Sequence, residues 1–211
     1  MKYLEATKLL DYHSEEIQEI IQEFKDASLS EKEKATAVYL KIRDNWRYNP
    51  YVISLDEERY KASKIAKKPD GHCVDKAVLL IAALRALGIP ARLRLAKVTN
   101  HIAVERLTEK FGTNILTPHG MVDVFLEGQW VKATPAFNKE LCALNNVAPL
   151  EFDGTTDSVF QEYNDDGAQF MEYLEDYGHF PDVPVDFMLK NLEEHYPEVF
   201  DLKNGVIDYK F

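Results

Sequence analysis

Residues 71–95 read GHCVDKAVLLIAALRALGIPARLRL, and this stretch contains the strongest structural pattern in the sequence. Apolar side chains at 73–87 cover more than one helical face, so the spacing predicts a helix buried over most of its circumference. Gly88 and Pro90 are typical of a helix end. Residues 92–95 then alternate arginine with leucine, as in a half-buried strand. The stretch therefore predicts a buried helix followed directly by a strand.

A second pattern lies at 119–134, where two alternating runs flank Glu127-Gly128. This spacing predicts a β-hairpin with a tight turn at those two residues. The turn would place Thr134 diagonally beside His119 on one face of the hairpin. The predicted register pairs Leu126 with Gln129, Phe125 with Trp130, Asp123 with Lys132, Met121 with Thr134, and His119 with Ala136.

Further helices are predicted on both sides of these two segments. Ser30 and Glu33 have the form of a capping box that opens a helix running through about Trp46. Another helix is expected after Pro184. The apolar residues at helical spacing are Ile17, Ile20, Ile21 and Phe24 near the N-terminus and Val185, Met188, Leu189, Leu192 and Tyr196 near the C-terminus.

Composition excludes several classes of function. The net charge of -11, with no stripe of basic residues, argues against nucleic acid as a partner. No apolar run approaches about 18 residues, which argues against membrane insertion. The first residues lack the apolar core of a signal peptide, and two cysteines cannot form a disulfide framework, so we expect a cytoplasmic protein.

Cys73 is the candidate nucleophile. Unpaired N–H groups in the first turn of a helix favour a thiolate. Gly71 would allow the backbone and a substrate to approach each other closely, and His72 could add positive charge if it faces the same cleft. A free cysteine is more often a small buried hydrophobe, and that alternative stays open. A metal site is a poor alternative, because His72 and Cys73 are adjacent and Cys142 is isolated.

His119 is the candidate base. A base must reach the sulfur, and among the histidines His119 is the best placed because it opens a strand in which apolar and polar residues alternate. In isolation, a histidine at a strand end is usually capped by solvent. His101 is kept only as a further cleft contact, and no cofactor is expected.

Together these residues resemble a known family. The stretches that carry the resemblance are Gly71-x-Cys73, residues 77–80 and 84–92, and the runs His119-x-x-Val122-Asp123-Val124, Gly128-x-Trp130-Val131 and Pro135. They are similar to transglutaminase-like proteins, and the similarity extends over about residues 35–138. The resemblance implies a papain-like α+β fold, with the nucleophile helix packed on an antiparallel sheet and further helices at both ends. It also implies the catalytic order cysteine, histidine, then an acid on the next strand.

One position departs from that family pattern, because Thr134 stands where an aspartate usually orients the histidine. A threonine hydroxyl can fix a tautomer but cannot stabilise an imidazolium by charge. A weaker Cys73–His119 pair, a substitute such as Asn138, and loss of catalysis all stay open. The resemblance also marks Trp46 and Tyr48 as possible cleft residues, although core packing explains both equally well.

We therefore expect residues 1–138 to form a transglutaminase-like core and 139–211 an acidic extension packed on it as one compact unit. The expected function is acyl transfer on amide bonds of a peptide or protein substrate, with hydrolysis favoured over cross-linking. The alternative is a catalytically impaired binding module that keeps the cleft. The sequence does not indicate the oligomeric state.

Overall fold

The computed structural model describes residues 2–26, 28–101, 104–161, 163, 165–168 and 170–207. This part of the chain combines helices with an antiparallel main sheet, as expected for an α+β protein. The helices are α1 (Glu15–Ile21), α2 (Glu31–Asn45), α3 (Ala62–Ala66), α4 (Cys73–Ala86), α5 (Val104–Phe111), α6 (Lys139–Leu144) and α7 (Val185–His195). The strands are β1 (Arg47–Tyr48), β2 (Asp70–Gly71), β3 (Ala91–Asn100), β4 (Ile115–Leu126), β5 (Gln129–Ala133), β6 (Met171–Phe180), β7 (Phe200–Asp201) and β8 (Val206–Ile207).

Helix α4 is the buried helix that the sequence predicts. Every residue at 73–85 is buried, which confirms packing over most of the circumference. Strand β4 lies against one side of α4, while α1, α2 and α3 pack on its other sides. The helix is followed by Gly88 with φ of 82°, a left-handed conformation that favours glycine, before the chain enters β3.

The main sheet is antiparallel and has the order β5-β4-β3-β6. The predicted hairpin is confirmed at its turn end, because Glu127 and Gly128 have φ values of 50° and 87° and Leu126 pairs with Gln129. The pairs Phe125–Trp130 and Asp123–Lys132 are also as predicted.

The prediction was wrong at the open end of this hairpin. Strand β5 ends at Ala133, so Met121 does not pair with Thr134 and His119 does not pair with Ala136. On its other edge β4 pairs with β3, where His119 lies opposite Ala96. Pro135 has no N–H to offer the ladder, and the Thr134 carbonyl accepts a hydrogen bond from the Tyr39 hydroxyl (3.0 Å). The chain therefore leaves the sheet at this point.

The terminal helices begin close to where the sequence places them. Ser30 and Glu33 form the predicted capping box, α2 ends at Asn45, and α7 begins directly after Pro184. The C-terminal part of the chain supplies β6, which pairs with β3, and α7, which packs against β4. Among the described residues, no helix combines the length and apolar character needed to cross a bilayer.

Candidate active site

The first turn of α4 holds Cys73 in a tightly specified position. His72 is the N-cap: its Nδ1 accepts the Asp75 N–H (3.0 Å), and the Asp75 carboxylate accepts the His72 N–H (3.2 Å). A Cβ on Gly71 would lie 2.8 Å from the Asp75 Cβ, so only glycine fits beside this cap without a shift. The capping box and the glycine together fix the direction in which the Cys73 side chain leaves the helix.

A buried ion pair supports the same turn. Asp75 is fully buried, and both its oxygens accept hydrogen bonds from the Arg59 guanidinium, at 3.2 and 2.9 Å. Because His72 Nδ1 is an acceptor, its ring is neutral with the proton on Nε2, and burial lowers its pKa. His72 therefore lines the cleft as an uncharged cap and not as the positive neighbour that the sequence suggested.

Lys76, one turn further along α4, ties the helix to its surroundings. Its ammonium donates to the carbonyl of Arg43 at the end of α2 (2.8 Å) and to that of Ala136 after β5 (2.7 Å). The side chain is fully buried, and burial lowers its pKa to about 7. This lysine couples the position of α4 to the segment that carries Thr134 and Asn138.

The Cys73 thiol lies against the backbone of β4. Its Sγ is 4.0 Å from the Pro118 carbonyl oxygen, and the N–H groups of Gly120 and Val74 point toward the sulfur. A Cβ on Gly120 would lie 2.7 Å from the Val74 Cα, so the glycine permits this close approach of strand and helix. The two chain segments therefore meet at the sulfur.

Burial raises the pKa of the Cys73 thiol to about 11, although the N–H groups of Gly120 and Val74 act in the opposite direction. The sequence predicted that a helix start would favour the thiolate. In the closed pocket, desolvation of the anion outweighs the stabilisation by backbone N–H groups. The thiol is therefore protonated at neutral pH.

His119 lies between the two β4 residues that contact the sulfur. It is 1% exposed, and neither ring nitrogen has a hydrogen-bond partner among the described residues. Burial lowers its pKa to about 4. The imidazole is therefore neutral and is not hydrogen-bonded to the thiol.

The two candidate orienting residues differ in their contacts. Thr134 Oγ1 is buried and, within the described part of the chain, has no hydrogen-bond partner. Asn138 is fully engaged, since its Oδ1 accepts the Tyr48 N–H (3.0 Å) and its Nδ2 donates to Glu140 (2.7 Å). Asn138 therefore holds Tyr48 in place, while the Thr134 hydroxyl remains available.

A small pocket of about 40 Å³ surrounds the thiol. Tyr48 lines it and packs edge-to-face on Phe137, with ring centroids 4.8 Å apart. Trp46 is a buried residue at the end of α2, and His101 lies at the end of β3 with Nε2 3.9 Å from Glu172; neither belongs to the pocket lining. Other lining residues include Pro50, His72, Thr117, Pro118, Leu192 and Tyr196.

The sequence did not reveal that α7 forms one wall of this pocket. The Tyr196 hydroxyl donates to the Ile115 carbonyl (2.8 Å) and accepts the Thr117 N–H (2.8 Å), while its ring lines the pocket. The Thr117 hydroxyl in turn donates to Asn191 (2.8 Å). The apolar spacing of α7 predicted a buried face, but no local signal identifies a partner about 80 residues away.

No cluster of three or more potential metal ligands occurs in the described residues. The side chains that line the pocket include the Cys73 thiol, the neutral imidazole of His72, and Tyr48 and Tyr196, whose pKa is raised by burial; His119 is not among the lining residues. Such a set can exchange protons and attack a carbonyl carbon.

The chain is similar to known proteins over part of its length. A proposed cysteine protease from Cytophaga hutchinsonii, known from a crystal structure, is similar over 64% of this chain and 40% of its own, with 19% identity and a TM-score of 0.48. The chain thus spans less than half the length of that protein. No curated protein sequence matches the chain. The family model of the transglutaminase-like superfamily matches residues 18–135, more than half of the sequence, and the chain therefore belongs to the transglutaminase-like superfamily.

Proposed function

We propose that this protein is a thiol enzyme that transfers the acyl group of a peptide or protein amide, with Cys73 as nucleophile and His119 as base. The observation that carries the proposal is the buried, unpaired imidazole of His119, which in the sequence stands between Pro118 and Gly120, the two β4 residues whose backbone is next to the sulfur. Burying a polar group without a hydrogen bond costs roughly 1–3 kcal/mol. Since no hydrogen bond in the folded protein offsets this cost, we assign the His119 imidazole a role in the reaction.

The proposed reaction begins with a neutral pair. As substrate enters, the Cys73 thiol gives its proton to His119, and the sulfur attacks the amide carbonyl carbon. The carbonyl oxygen takes up the electron pair, facing the Cys73 N–H and a second upstream donor. The imidazolium then protonates the leaving amine as the C–N bond breaks, which leaves a thioester on Cys73 and a neutral His119.

The second half of the proposed reaction releases the acyl group. His119 removes a proton from the incoming water, whose oxygen attacks the thioester, and the thiol leaves with that proton. An amine in place of water would give a new amide and make the protein a cross-linking enzyme. We favour hydrolysis, together with the cytoplasmic location expected from the sequence.

Thr134 is the proposed orienting residue. Its unpaired Oγ1 can accept the N–H of an imidazole, whereas Asn138 is engaged by Tyr48 and Glu140. A neutral hydroxyl fixes the tautomer without stabilising the imidazolium by charge. We therefore expect the pair to react more slowly than one oriented by an aspartate.

The second candidate function is a binding module that keeps the cleft without the chemistry. It is favoured by the absence of a carboxylate at Thr134 and by a thiol whose pKa is raised to about 11 in the closed pocket. Under this alternative, replacing Cys73 would leave ligand affinity intact and no turnover would be found with any amide.

The two functions are separated by incubating the protein with a mixture of peptide amides in ¹⁸O-water containing hydroxylamine. Hydrolysis introduces ¹⁸O into a new carboxylate, and amine transfer gives a hydroxamate, so mass spectrometry reports both outcomes. We expect ¹⁸O-carboxylate from the wild type and from Cys142→Ala, the matched control, and neither product from Cys73→Ala. Absence of both products from the wild type, or their persistence in Cys73→Ala, would contradict the proposal.

Variants at position 134 test the orienting role. Thr134→Val keeps the side-chain shape and removes the acceptor, so kcat should fall with little change in KM. Thr134→Asp should raise both kcat and the apparent pKa of His119, because a carboxylate favours imidazolium. If Asn138→Ala lowers kcat while Thr134→Val does not, Asn138 is the orienting residue.

A further inference from the structure

A second cavity, of about 360 Å³, adjoins the thiol pocket. The two cavities share the lining residues Tyr48, Pro50 and Leu116, so they are neighbours. Typical ligand pockets measure roughly 300–1,000 Å³, whereas the space beside the thiol is close to the volume of one water, about 30 Å³. Substrate recognition therefore has room in the larger cavity and almost none beside the sulfur.

The wall of this cavity is mainly apolar and aromatic. Tyr48, Phe137 and Phe170 form a series of edge-to-face contacts, with ring centroids 4.8 and 5.7 Å apart. Leu144 adds an exposed apolar surface at the rim, where 84% of its area is accessible. The remaining apolar lining residues include Tyr51, Leu107, Leu116 and Leu141.

Two of the amide side chains in the wall, Asn49 and Asn145, are already bonded to the protein. Asn49 donates to Asp70 (3.2 Å) and accepts the Tyr51 N–H (3.1 Å), and Asn145 donates its amide N–H to the Leu141 carbonyl (2.7 Å). Arg106, on an exposed face of α5, is the charged residue among the described lining. The cavity therefore offers apolar contact and few hydrogen bonds to a ligand.

We infer that this cavity binds a substrate residue next to the scissile amide and selects an aromatic side chain there. An apolar cavity of about 150 Å³ holds a benzene molecule, so the larger volume fits a phenyl ring together with its backbone. A glutamine side chain would bury less apolar area against the aromatic wall and would have to desolvate its amide, which costs affinity. This inference rests on the proposed function, since Cys73 is taken to be the group that receives the acyl carbon.

Binding to the Cys73→Ala protein tests the inference without requiring turnover. NMR titration would compare N-acetyl-phenylalaninamide with N-acetyl-alaninamide and N-acetyl-glutaminamide. We expect the phenylalanine amide to bind about tenfold more tightly than the other two, because burying a phenyl ring removes the largest apolar area from water. Equal affinities for the three amides, or no binding of the phenylalanine amide at millimolar concentration, would overturn the inference.

Filling the cavity provides the second arm of the test. Leu141→Trp should weaken binding of the phenylalanine amide at least about tenfold, and Leu144→Trp at the exposed rim replaces it if the first variant does not fold. The matched control is Leu174→Trp on β6, because Leu174 is partly exposed and lines neither cavity. Equal weakening by Leu174→Trp would contradict the assignment. If the amides bind as expected while the wild type hydrolyses none of them, the proposed function fails and the cavity assignment stands.

Discussion

Adding one methyl group at Gly120 should separate the strand of His119 from the helix of Cys73. In Gly120→Ala the new Cβ would lie 2.7 Å from the Val74 Cα, against an ordinary contact of 3.4 Å or more. Because the obstacle is backbone, strand and helix must move apart by roughly 0.7 Å in a densely packed interior. Such overpacking costs about 1–3 kcal/mol of unfolding free energy, and misplacing catalytic groups by about 1 Å costs up to 10²-fold in rate.

Two assays separate the effect on stability from the effect on the site. Urea denaturation gives the unfolding free energy, and stopped-flow acylation by p-nitrophenyl acetate gives the rate at the thiol. Val122→Ile is the matched control, since it adds one carbon to the same buried face of β4, two residues further from the sulfur. We expect both variants to lose stability and only Gly120→Ala to lose acylation. Wild-type stability and acylation in Gly120→Ala would refute the argument that close contact positions the site.

Three further predictions concern groups around the pocket. Tyr196→Phe leaves one buried N–H and one buried carbonyl unpaired, so urea denaturation should show a loss of about 1–3 kcal/mol; unchanged stability would contradict the role of α7. Because burial lowers the pKa of His119 to about 4, the unfolded chain binds more protons between pH 4 and 6.5. Wild-type stability should therefore fall relative to His119→Gln as the pH drops through that window, by up to about 3 kcal/mol; parallel profiles would show that His119 is not buried as a neutral ring. Arg59→Met leaves Asp75 buried without its cation and should cost about 3–5 kcal/mol at pH 7, with partial recovery in Arg59→Lys.

Local patterns in the sequence were sufficient for the elements that carry the site. The apolar run and the Gly88-Ile89-Pro90 end define α4, because helix periodicity and stop residues act over one or two turns. Glu127-Gly128 defines the hairpin turn, since both residues adopt the left-handed φ that a two-residue connection requires. Cys73 and His119 were identified by their spacing and by the family resemblance.

Features that depend on distant parts of the chain were not predictable in this way. The predicted pair His119–Ala136 does not form because β5 ends before Pro135, and the pairing of His119 with Ala96 on the other edge of β4 joins segments that the hairpin pattern does not relate. The Tyr196 contacts join segments about 80 residues apart, which periodicity does not encode. The raised pKa of the Cys73 thiol also depends on distant parts of the chain, because desolvation comes from all the residues that pack over the sulfur. The helix start, which the sequence does show, acts in the opposite direction and lowers the pKa.

The most direct test of the central claim is to identify the residue that carries the acyl group. Wild-type protein, Cys73→Ala and His119→Ala are treated with p-nitrophenyl acetate, quenched at intervals in acid, digested and mapped by mass spectrometry. The account predicts an acetyl thioester on Cys73 of the wild type, with Cys142 unmodified. It also predicts a rate lower by about 10²–10⁴-fold in His119→Ala, the range expected for loss of a general base. Acetylation of Cys142 in preference to Cys73, or equal acetylation of Cys73 with and without the His119 imidazole, would contradict it.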